Sequence, residues 1–217
     1  GEYDPADYLP VSDKDVEVMY KELMGFIGSV KNQYLSQLLH SFFDNKEFER
    51  RFKFHSAAKS VHHGFVGGLL EHTLGVTKNC DYFAKMYPVL NRDLLLTAAI
   101  FHDIGKLKEL STFPENDYTD AGQLLGHIMI GAEWVGDAIK SIDGFPVVLA
   151  NELKHCILAH HGDAHLALAS VRGRDERAQR PEVGLARLEP QPGEHQLVEA
   201  LVVQHERHLV DGRRVHA

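Results

Sequence analysis

RDLLLTAAIFHDIGK, residues 92–106, decides the fold of this chain. The stretch is apolar on nearly every side, so it predicts a buried α-helix from about Arg92 to Ile104. His102 and Asp103 follow directly on this apolar run, and burying an imidazole beside a carboxylate is costly unless a partner satisfies both. A divalent metal would do so, with Gly105 as a helix stop that lets neighbouring side chains reach one ion. The competing interpretation is a buried His-Asp hydrogen bond.

Helical periodicity continues on both sides of this segment. One helix is predicted after an N-cap at Ser12, a second around residues 34–43, and a third from about 65 to 86. Residues 121–142 repeat the pattern through Leu124, Ile128 and Val135, and Pro146 fits the first position of a helix that reaches residue 160. No alternating strand precedes residue 162. The sequence therefore predicts an all-α helical bundle.

Histidine is unusually frequent, with fifteen in the chain and ten of them in the first 162 residues. His72 and His127 lie on apolar helix faces, and the His160-His161 pair ends the last predicted helix. A single histidine on such a face is more often an ordinary core residue than a ligand. Four helices that each direct imidazole inward favour a metal site, because helix bundles build such sites from facing helices.

Composition restricts the classes of function. The net charge of −8 argues against a broad basic surface for nucleic acid. No apolar run is long enough for an ordinary membrane span, and no secretory leader is visible. Cys80 and Cys156 stand alone, which favours a reducing, cytoplasmic setting. Because the chain begins with Gly1 rather than Met, we expect either a fragment of a longer protein or a residue left by cloning.

The order His72, His102-Asp103, His127, His160-His161 resembles the HD superfamily of metal-dependent phosphohydrolases. More narrowly, four segments resemble the YhaM-like 3′→5′ exoribonucleases: AAKSVHHGFVGGLLEHTLGV (57–76), FHDIGKLKEL (101–110), GHIMIG (126–131) and HHG (160–162). The opening YDPADYLPVS (3–12) is also similar to that family, where it follows an OB-fold domain that binds nucleic acid. We expect that upstream domain to be absent from this chain. The resemblance covers residues 2–162.

The resemblance implies a set of metal ligands. By position, His72, His102 and Asp103 match the first three ligands of the superfamily. The later histidines match those of HD proteins that hold two metals, with Asp103 as the bridge; alternatively, they bind substrate phosphate around a single ion. These later residues are His127, His160 and His161. So many imidazoles favour Mn, Fe, Co, Ni or Zn over Mg, and the family places Mn first.

Two residues are candidates for contact with substrate. Lys106, four residues past His102, could stabilise a phosphate as charge develops during hydrolysis, and the alternative is an ordinary exposed lysine. Asp103 and Lys106 are thus the predicted catalytic residues. His63 could face the substrate as well, although a surface or capping role fits it equally.

The amino-acid composition changes abruptly after Gly162. Residues 163–217 contain no Phe, Tyr, Trp, Ile, Met, Lys, Cys, Asn or Thr, whereas all 19 aromatic residues lie earlier. We therefore divide the chain into a linker (1–12), an HD domain (13–162) and an anomalous tail (163–217). The tail is either a natural low-complexity segment or a frameshifted translation of a G/C-rich gene.

The same tail occupies the region where the HD pattern has its last Asp ligand. No residue matches that ligand, so we expect impaired activity from this chain. Three functions remain open: an exoribonuclease acting on RNA or short single-stranded nucleic acid, a phosphohydrolase acting on a mononucleotide or small phosphoester, and a regulatory domain that binds nucleotide without cleaving it.

Overall fold

The computed structural model describes residues 12–59 and 64–161. Within these ranges the chain forms eight helices and no strand, so the predicted all-α class is confirmed. An isolated antiparallel bridge joins Leu110 to Tyr118. The helices are α1 (Val16–Gly28), α2 (Gln33–Phe43), α3 (Lys46–Phe54), α4 (Gly68–Met86), α5 (Arg92–Phe101), α6 (Lys106–Glu109), α7 (Asp120–Lys140) and α8 (Val147–Ala159).

The predicted buried helix is α5, and it forms the centre of the bundle. Every side chain from Leu94 to Phe101 is buried, because α4, α8 and the first two helices pack around it. The helix ends at Phe101, three residues before the predicted end, and the chain then turns through residues 102–105. His102 and Asp103 therefore emerge at the end of a fully buried helix.

Helix α3 was not predicted from the sequence. It begins after Asn45, whose side chain accepts hydrogen bonds from the backbone N–H groups of Glu47 and Phe48. Its mean hydropathy is low, but two phenyl rings, Phe48 and Phe52, enter an aromatic cluster with Phe42, Phe43, Phe101 and Trp134. Fully burying such a ring contributes about 2–3 kcal/mol, which outweighs the polar remainder of this short helix.

Two predicted helix starts are displaced. Asp15, not Ser12, caps α1, since its carboxylate accepts from the backbone N–H groups of Glu17 and Val18. The Ser12 hydroxyl instead donates to Glu71 Oε2 at 2.6 Å, which ties the approach to α1 onto α4. Pro146 occupies the N-cap of α8 rather than its first helical position.

Helix α7 contains a kink that breaks the predicted periodicity. Gly126 has φ +70°, a left-handed conformation that glycine adopts without steric cost. The residues before the kink no longer share a face with those after it. Leu124, predicted to lie in the core with Val135, is 83% exposed, whereas Val135 is fully buried. That part of the interpretation was wrong.

Gly105 has a different role from the predicted helix stop. Its backbone is right-handed (φ −63°), and it caps α6 at a point where this helix lies directly against α7. A Cβ atom on Gly105 would lie 2.0 Å from the carbonyl oxygen of His127 and 2.8 Å from the backbone nitrogen of Gly131. Only glycine permits this approach, and the approach fixes the position of His127.

The structure also bears on the predictions about the cysteines and about membrane spans. Cys80 and Cys156 are both buried and unpaired, and burial raises the pKa of each thiol to about 12. No helix in the part of the chain that the structure describes is long and apolar enough to cross a membrane. The predicted linker up to residue 11, the candidate His63 and the tail after Gly162 lie outside the described residues.

Replacing Gly105 with alanine should destabilise the fold. Because two backbones would have to separate, we expect the free energy of unfolding to fall by about 3 kcal/mol, the upper part of the usual range for overpacking. Urea denaturation in the presence of EDTA measures this without a contribution from metal. The matched control is Gly25→Ala on the exposed face of α1, where no atom lies within 4 Å; it should stabilise by about 0.5–1 kcal/mol. Equal stability of the two variants would contradict this account of Gly105.

Candidate metal centre

Asp103 lies at the centre of the predicted cluster. Its two carboxylate oxygens face different groups of imidazoles, and only 3% of its side chain is exposed. Oδ2 lies 3.3 Å from His72 Nε2 and 3.2 Å from His102 Nε2. Oδ1 lies 3.4 Å from His127 Nε2 and 3.7 Å from His160 Nε2. The structure thus brings four of the predicted histidines, each from a different helix or helix end, around one carboxylate.

These side chains form two overlapping groups of possible metal ligands. One group contains His72, His102 and Asp103, and the other contains Asp103, His127, His160 and His161; within each group, one ligand atom per residue lies within 4.8 Å of the others. Asp103 belongs to both groups. All six residues predicted from the sequence as metal ligands are accounted for in this arrangement, which could hold one or two divalent ions.

The second nitrogen of two rings fixes which atom faces Asp103. Nδ1 of His102 donates to the carbonyl oxygen of Ala99 at 2.7 Å, and Nδ1 of His160 donates to the carbonyl oxygen of Ile157 at 2.6 Å. A carbonyl oxygen only accepts, so in each neutral ring the proton is on Nδ1 and Nε2 offers a lone pair. The His102 and His160 rings therefore present acceptors to Asp103, as metal ligands do.

The arrangement fits a cation better than a simple hydrogen-bonded pair. Asp103 Oδ1 and His160 Nε2 are both buried, and neither has a hydrogen-bond partner among the described residues. Two buried acceptors facing each other would each lose the favourable interactions they have in water. A hydrogen bond between His102 and Asp103 would leave both of these atoms unsatisfied, whereas a divalent cation between them satisfies both.

Burial and charge hold the ligands in the ionisation states that bind metal. Burial lowers the pKa of His72 to about 4, despite the opposing attraction of Asp103, and it also lowers the pKa of His160. Burial alone would raise the pKa of Asp103, but the Lys106 ammonium holds it well below its usual range. At neutral pH the His72 and His160 rings are therefore neutral and Asp103 is ionised, as metal coordination requires.

Lys106 is not an ordinary exposed lysine. Its Nζ lies 2.9 Å from Asp103 Oδ2, and only 11% of its side chain is exposed. The side chain starts from the first turn of α6. An ammonium at this place can contact a phosphate oxygen that is bound at the centre. The geometry agrees with the predicted position of Lys106, but its catalytic role stays a prediction.

Glu109 is a member of the site that the sequence did not reveal. Its Oε1 accepts hydrogen bonds from both the backbone N–H and Nδ1 of His127, each at 3.0 Å. The carboxylate is largely buried, and the hydrogen bonds from His127 keep its pKa low although burial would raise it. No periodic signal in residues 106–110 (KLKEL) distinguishes Glu109. Its partner His127 is 18 residues away and is brought to it by the contact between α6 and α7.

His161 and His63 complete the predicted set. His161 is the exposed member of the second ligand group, and its Nε2 is 3.3 Å from Nε2 of His127. His63, the other predicted substrate contact, lies outside the described residues, so its role stays a prediction.

Removing the Glu109 carboxylate should weaken metal binding through His127. Outer-shell partners of a ligating histidine contribute about 10-fold to 100-fold in metal affinity, so Glu109→Ala should weaken binding by that amount. Titration of the metal-free protein with Mn²⁺, followed by calorimetry, measures the change. Glu109→Gln, which keeps an acceptor oxygen but loses the charge, should have the smaller effect. The exposed Glu115→Gln is the control, and a Glu109→Ala variant that binds metal like this control would contradict the role.

Comparison with known proteins places this centre in a family. The HD domain family matches residues 69–206, a range that includes the centre and extends past the last described residue. The chain is 34% identical over 161 residues to the 3′-5′ exoribonuclease YhaM of Oceanobacillus iheyensis, which covers 73% of this chain and 49% of that protein.

Two further relatives have the same name. Identity is 36% over 159 residues to the protein of Listeria monocytogenes, covering 72% of this chain and 49% of that protein, and 33% over 161 residues to that of a Geobacillus species, covering 73% and 48%. The chain spans about half the length of these curated relatives, and no solved structure matches it. From its match over residues 69–206, this chain belongs to the HD domain family.

Proposed function

We propose that this chain is the phosphohydrolase domain of a metal-dependent 3′→5′ exoribonuclease. The observation that carries the proposal is the position of Asp103 between two groups of imidazoles, with the Lys106 ammonium 2.9 Å from it. Phosphodiester hydrolysis needs an activated water and a means of neutralising phosphate charge. A carboxylate shared by two ligand groups, beside a buried ammonium, supports both.

Two ions are the arrangement that the ligand geometry favours. His72 and His102 would hold one ion and the later group of histidines would hold the other, with Asp103, a member of both ligand groups, contributing to each. Bound divalent ions would lower the pKa of a water molecule and neutralise phosphate oxygens. The nitrogen-rich ligand set favours Mn²⁺, with Fe, Co, Ni or Zn as further possibilities, over Mg²⁺.

The chain's own residues have separable tasks in this proposal. The Glu109 carboxylate orients the His127 ring, so that its Nε2 points to Asp103. Lys106 stabilises the negative charge that develops on the phosphate as the 3′-oxygen leaves. Because the chain as a whole has a net charge of −8, attraction for an anionic substrate has to come from a local positive centre of this kind.

The named relatives support a nucleic acid substrate. They are 3′-5′ exoribonucleases, and their matches cover 72–73% of this chain. RNA, or short single-stranded nucleic acid, is accordingly the proposed substrate. A mononucleotide phosphohydrolase with the same centre would cleave small phosphoesters but would not shorten an oligomer, and a regulatory domain would bind nucleotide without cleaving it.

Replacing Asp103 should abolish metal retention and hydrolysis together. Asp103→Ala removes the carboxylate that both ligand groups share, so elemental analysis should find the purified variant depleted of metal. A 5′-labelled oligoribonucleotide with Mn²⁺ should be shortened from its 3′ end by the unaltered chain and stay intact with the variant. Asp137→Ala, at an exposed carboxylate paired with Lys140 on α7, is the matched control. Unchanged metal content in Asp103→Ala would contradict the assignment, and cleavage of small phosphoesters alone would favour the nucleotide phosphohydrolase.

Lys106 should matter more for turnover than for metal binding. Lys106→Ala should lower the rate on phosphodiester substrates by about 100-fold, the usual effect of removing one group that stabilises the transition state. Metal content should stay at the level of the unaltered protein, because the ammonium is not a ligand. With excess Mn²⁺ the melting temperature of the variant should also stay close to that of the unaltered protein, since bound metal would neutralise the charge of Asp103. Lys106→Arg, which keeps the charge, should retain part of the rate; full activity of Lys106→Ala would assign the phosphate contact to another residue.

A further inference from the structure

A cleft of about 530 Å³ lies outside the metal centre, between the C-terminal end of α3 and the loop that follows α6. Its volume falls within the range typical of small-molecule sites. The α3 wall contains Arg50, Arg51 and Phe54, and the loop wall contains Ser111, Thr112 and Phe113. The centre described above uses none of these residues.

The chemistry of this cleft differs from that of the other surface depressions. None of the described residues that line it is acidic, and two of them are arginines. The walls of three other clefts each include at least one carboxylate, such as Glu47, Glu133 and Glu71. In a chain with a net charge of −8, the arginines among the described residues of this cleft favour an anionic ligand.

The aromatic residues of the cleft point to a ligand with flat rings. Phe48 and Phe52 of α3 are buried in the core, whereas Phe54, on the same helix, is 48% exposed. Phe113 on the opposite wall is partly buried. Arg50 is exposed, and it forms no ion pair with the described part of the chain. Exposed aromatic faces beside a cation are the combination with which proteins bind single-stranded nucleic acid, through base stacking and phosphate contacts.

The two walls are held together by buried hydrogen bonds, so the cleft is already formed without a ligand. Asn116, buried in the loop, donates through Nδ2 to the carbonyl oxygens of Ala58 and Lys59 at 3.0 and 3.1 Å. Its Oδ1 accepts from the Ser56 hydroxyl. Arg51 donates to the carbonyl oxygen of Leu107 at 2.7 Å, which fixes the α3 wall to α6.

Helix α6 connects this cleft with the metal centre. Lys106 contacts Asp103 from the first turn of α6, and Ser111, on the wall of the cleft, follows five residues later. With a rise of 1.5 Å per residue in a helix, the two places are on the order of 10 Å apart along this segment. A strand whose 3′ end is at the centre would need only a few nucleotides to reach the cleft.

We propose that this cleft binds an upstream nucleotide of the single-stranded substrate, with Phe54 and Phe113 contacting its base and Arg50 contacting a phosphate. The inference rests on the proposed function for its choice of substrate, but the binding it describes is independent of hydrolysis. It assigns these residues to holding the strand while its 3′ end is at the metal centre.

Fluorescence anisotropy with the full chain tests this directly. The probe is a 5′-labelled oligouridylate of about twelve nucleotides, within the range of known single-strand sites, in EDTA to prevent cleavage. Phe54→Ala should weaken binding by about five-fold or more, the lower end of what one stacked base contributes. Arg50→Ala should weaken binding and reduce the slope of log K against log salt by about 0.7, the value for one phosphate contact on a single strand.

Matched probes and variants separate the two contacts. A strand of the same length without bases should bind Phe54→Ala like the unaltered chain, whereas Arg50→Ala should bind that strand more weakly. Lys46→Ala, at an exposed cation on α3, and Tyr82→Ala, at an exposed aromatic residue on α4, should bind both probes normally. Melting temperatures confirm that the variants are folded.

Two results would overturn the proposal. One is normal binding of the oligouridylate by both Arg50→Ala and Phe54→Ala, and the other is competition by polyglutamate as strong as that by the oligonucleotide, which would make the cleft a general anion site. Hydrolysis of bis(p-nitrophenyl) phosphate by the unaltered chain with Mn²⁺ tests the proposed function separately. If that hydrolysis is absent, the proposed enzymatic function fails. The binding comparison still tests whether the cleft binds the single strand.

Discussion

The burial of Asp103 is the constraint on which the rest of the structure depends. A fully buried carboxylate is stable only where surrounding groups compensate the loss of water, and here the Lys106 ammonium does so. The imidazoles of three other helices lie within 3.7 Å of the carboxylate and would be joined to it by a divalent cation. Helix α5 ends just before His102, α7 bends just before His127, and α8 ends just before His160, so three of the ligands lie where a helix stops or bends. The bundle is therefore organised around the end of α5 as much as around its apolar core.

The contact between α6 and α7 shows how this constraint acts on the backbone. Gly105 allows the two backbones to meet, Gly126 bends α7, and Glu109 then holds the His127 ring through its Nδ1. A larger residue at position 105 would push His127 away from Asp103. Stability of the fold and geometry of the second ligand group consequently depend on the same contact, and a change there should affect both.

The cleft between α3 and the loop after α6, referred to as the basic cleft because of its arginines, is also positioned by α6. Arg51 joins the α3 wall to Leu107 in α6, and Asn116 joins the loop wall to the residues that follow α3. The proposed strand contacts and the metal centre are thus fixed to opposite ends of one short helix. If both proposals hold, α6 sets the spacing between the nucleotide that is cleaved and the nucleotide that is held.

Most of the fold and of the ligand set was determined by the sequence alone. Apolar residues at helical spacing predicted α5 and its neighbours. The histidines on those apolar faces indicated a metal site, because a buried imidazole needs a partner, and the resemblance to the HD superfamily implied which side chains are its ligands. The sequence did not reveal α3, whose buried phenyl rings are stabilised by partners on α2 and α7. It also misplaced Leu124, since the positive φ of Gly126 changes which side chains share a face. Glu109, the role of Gly105 and the basic cleft were decided by tertiary structure, because each depends on a distance between segments far apart in the chain, and local periodicity contains no information about such distances.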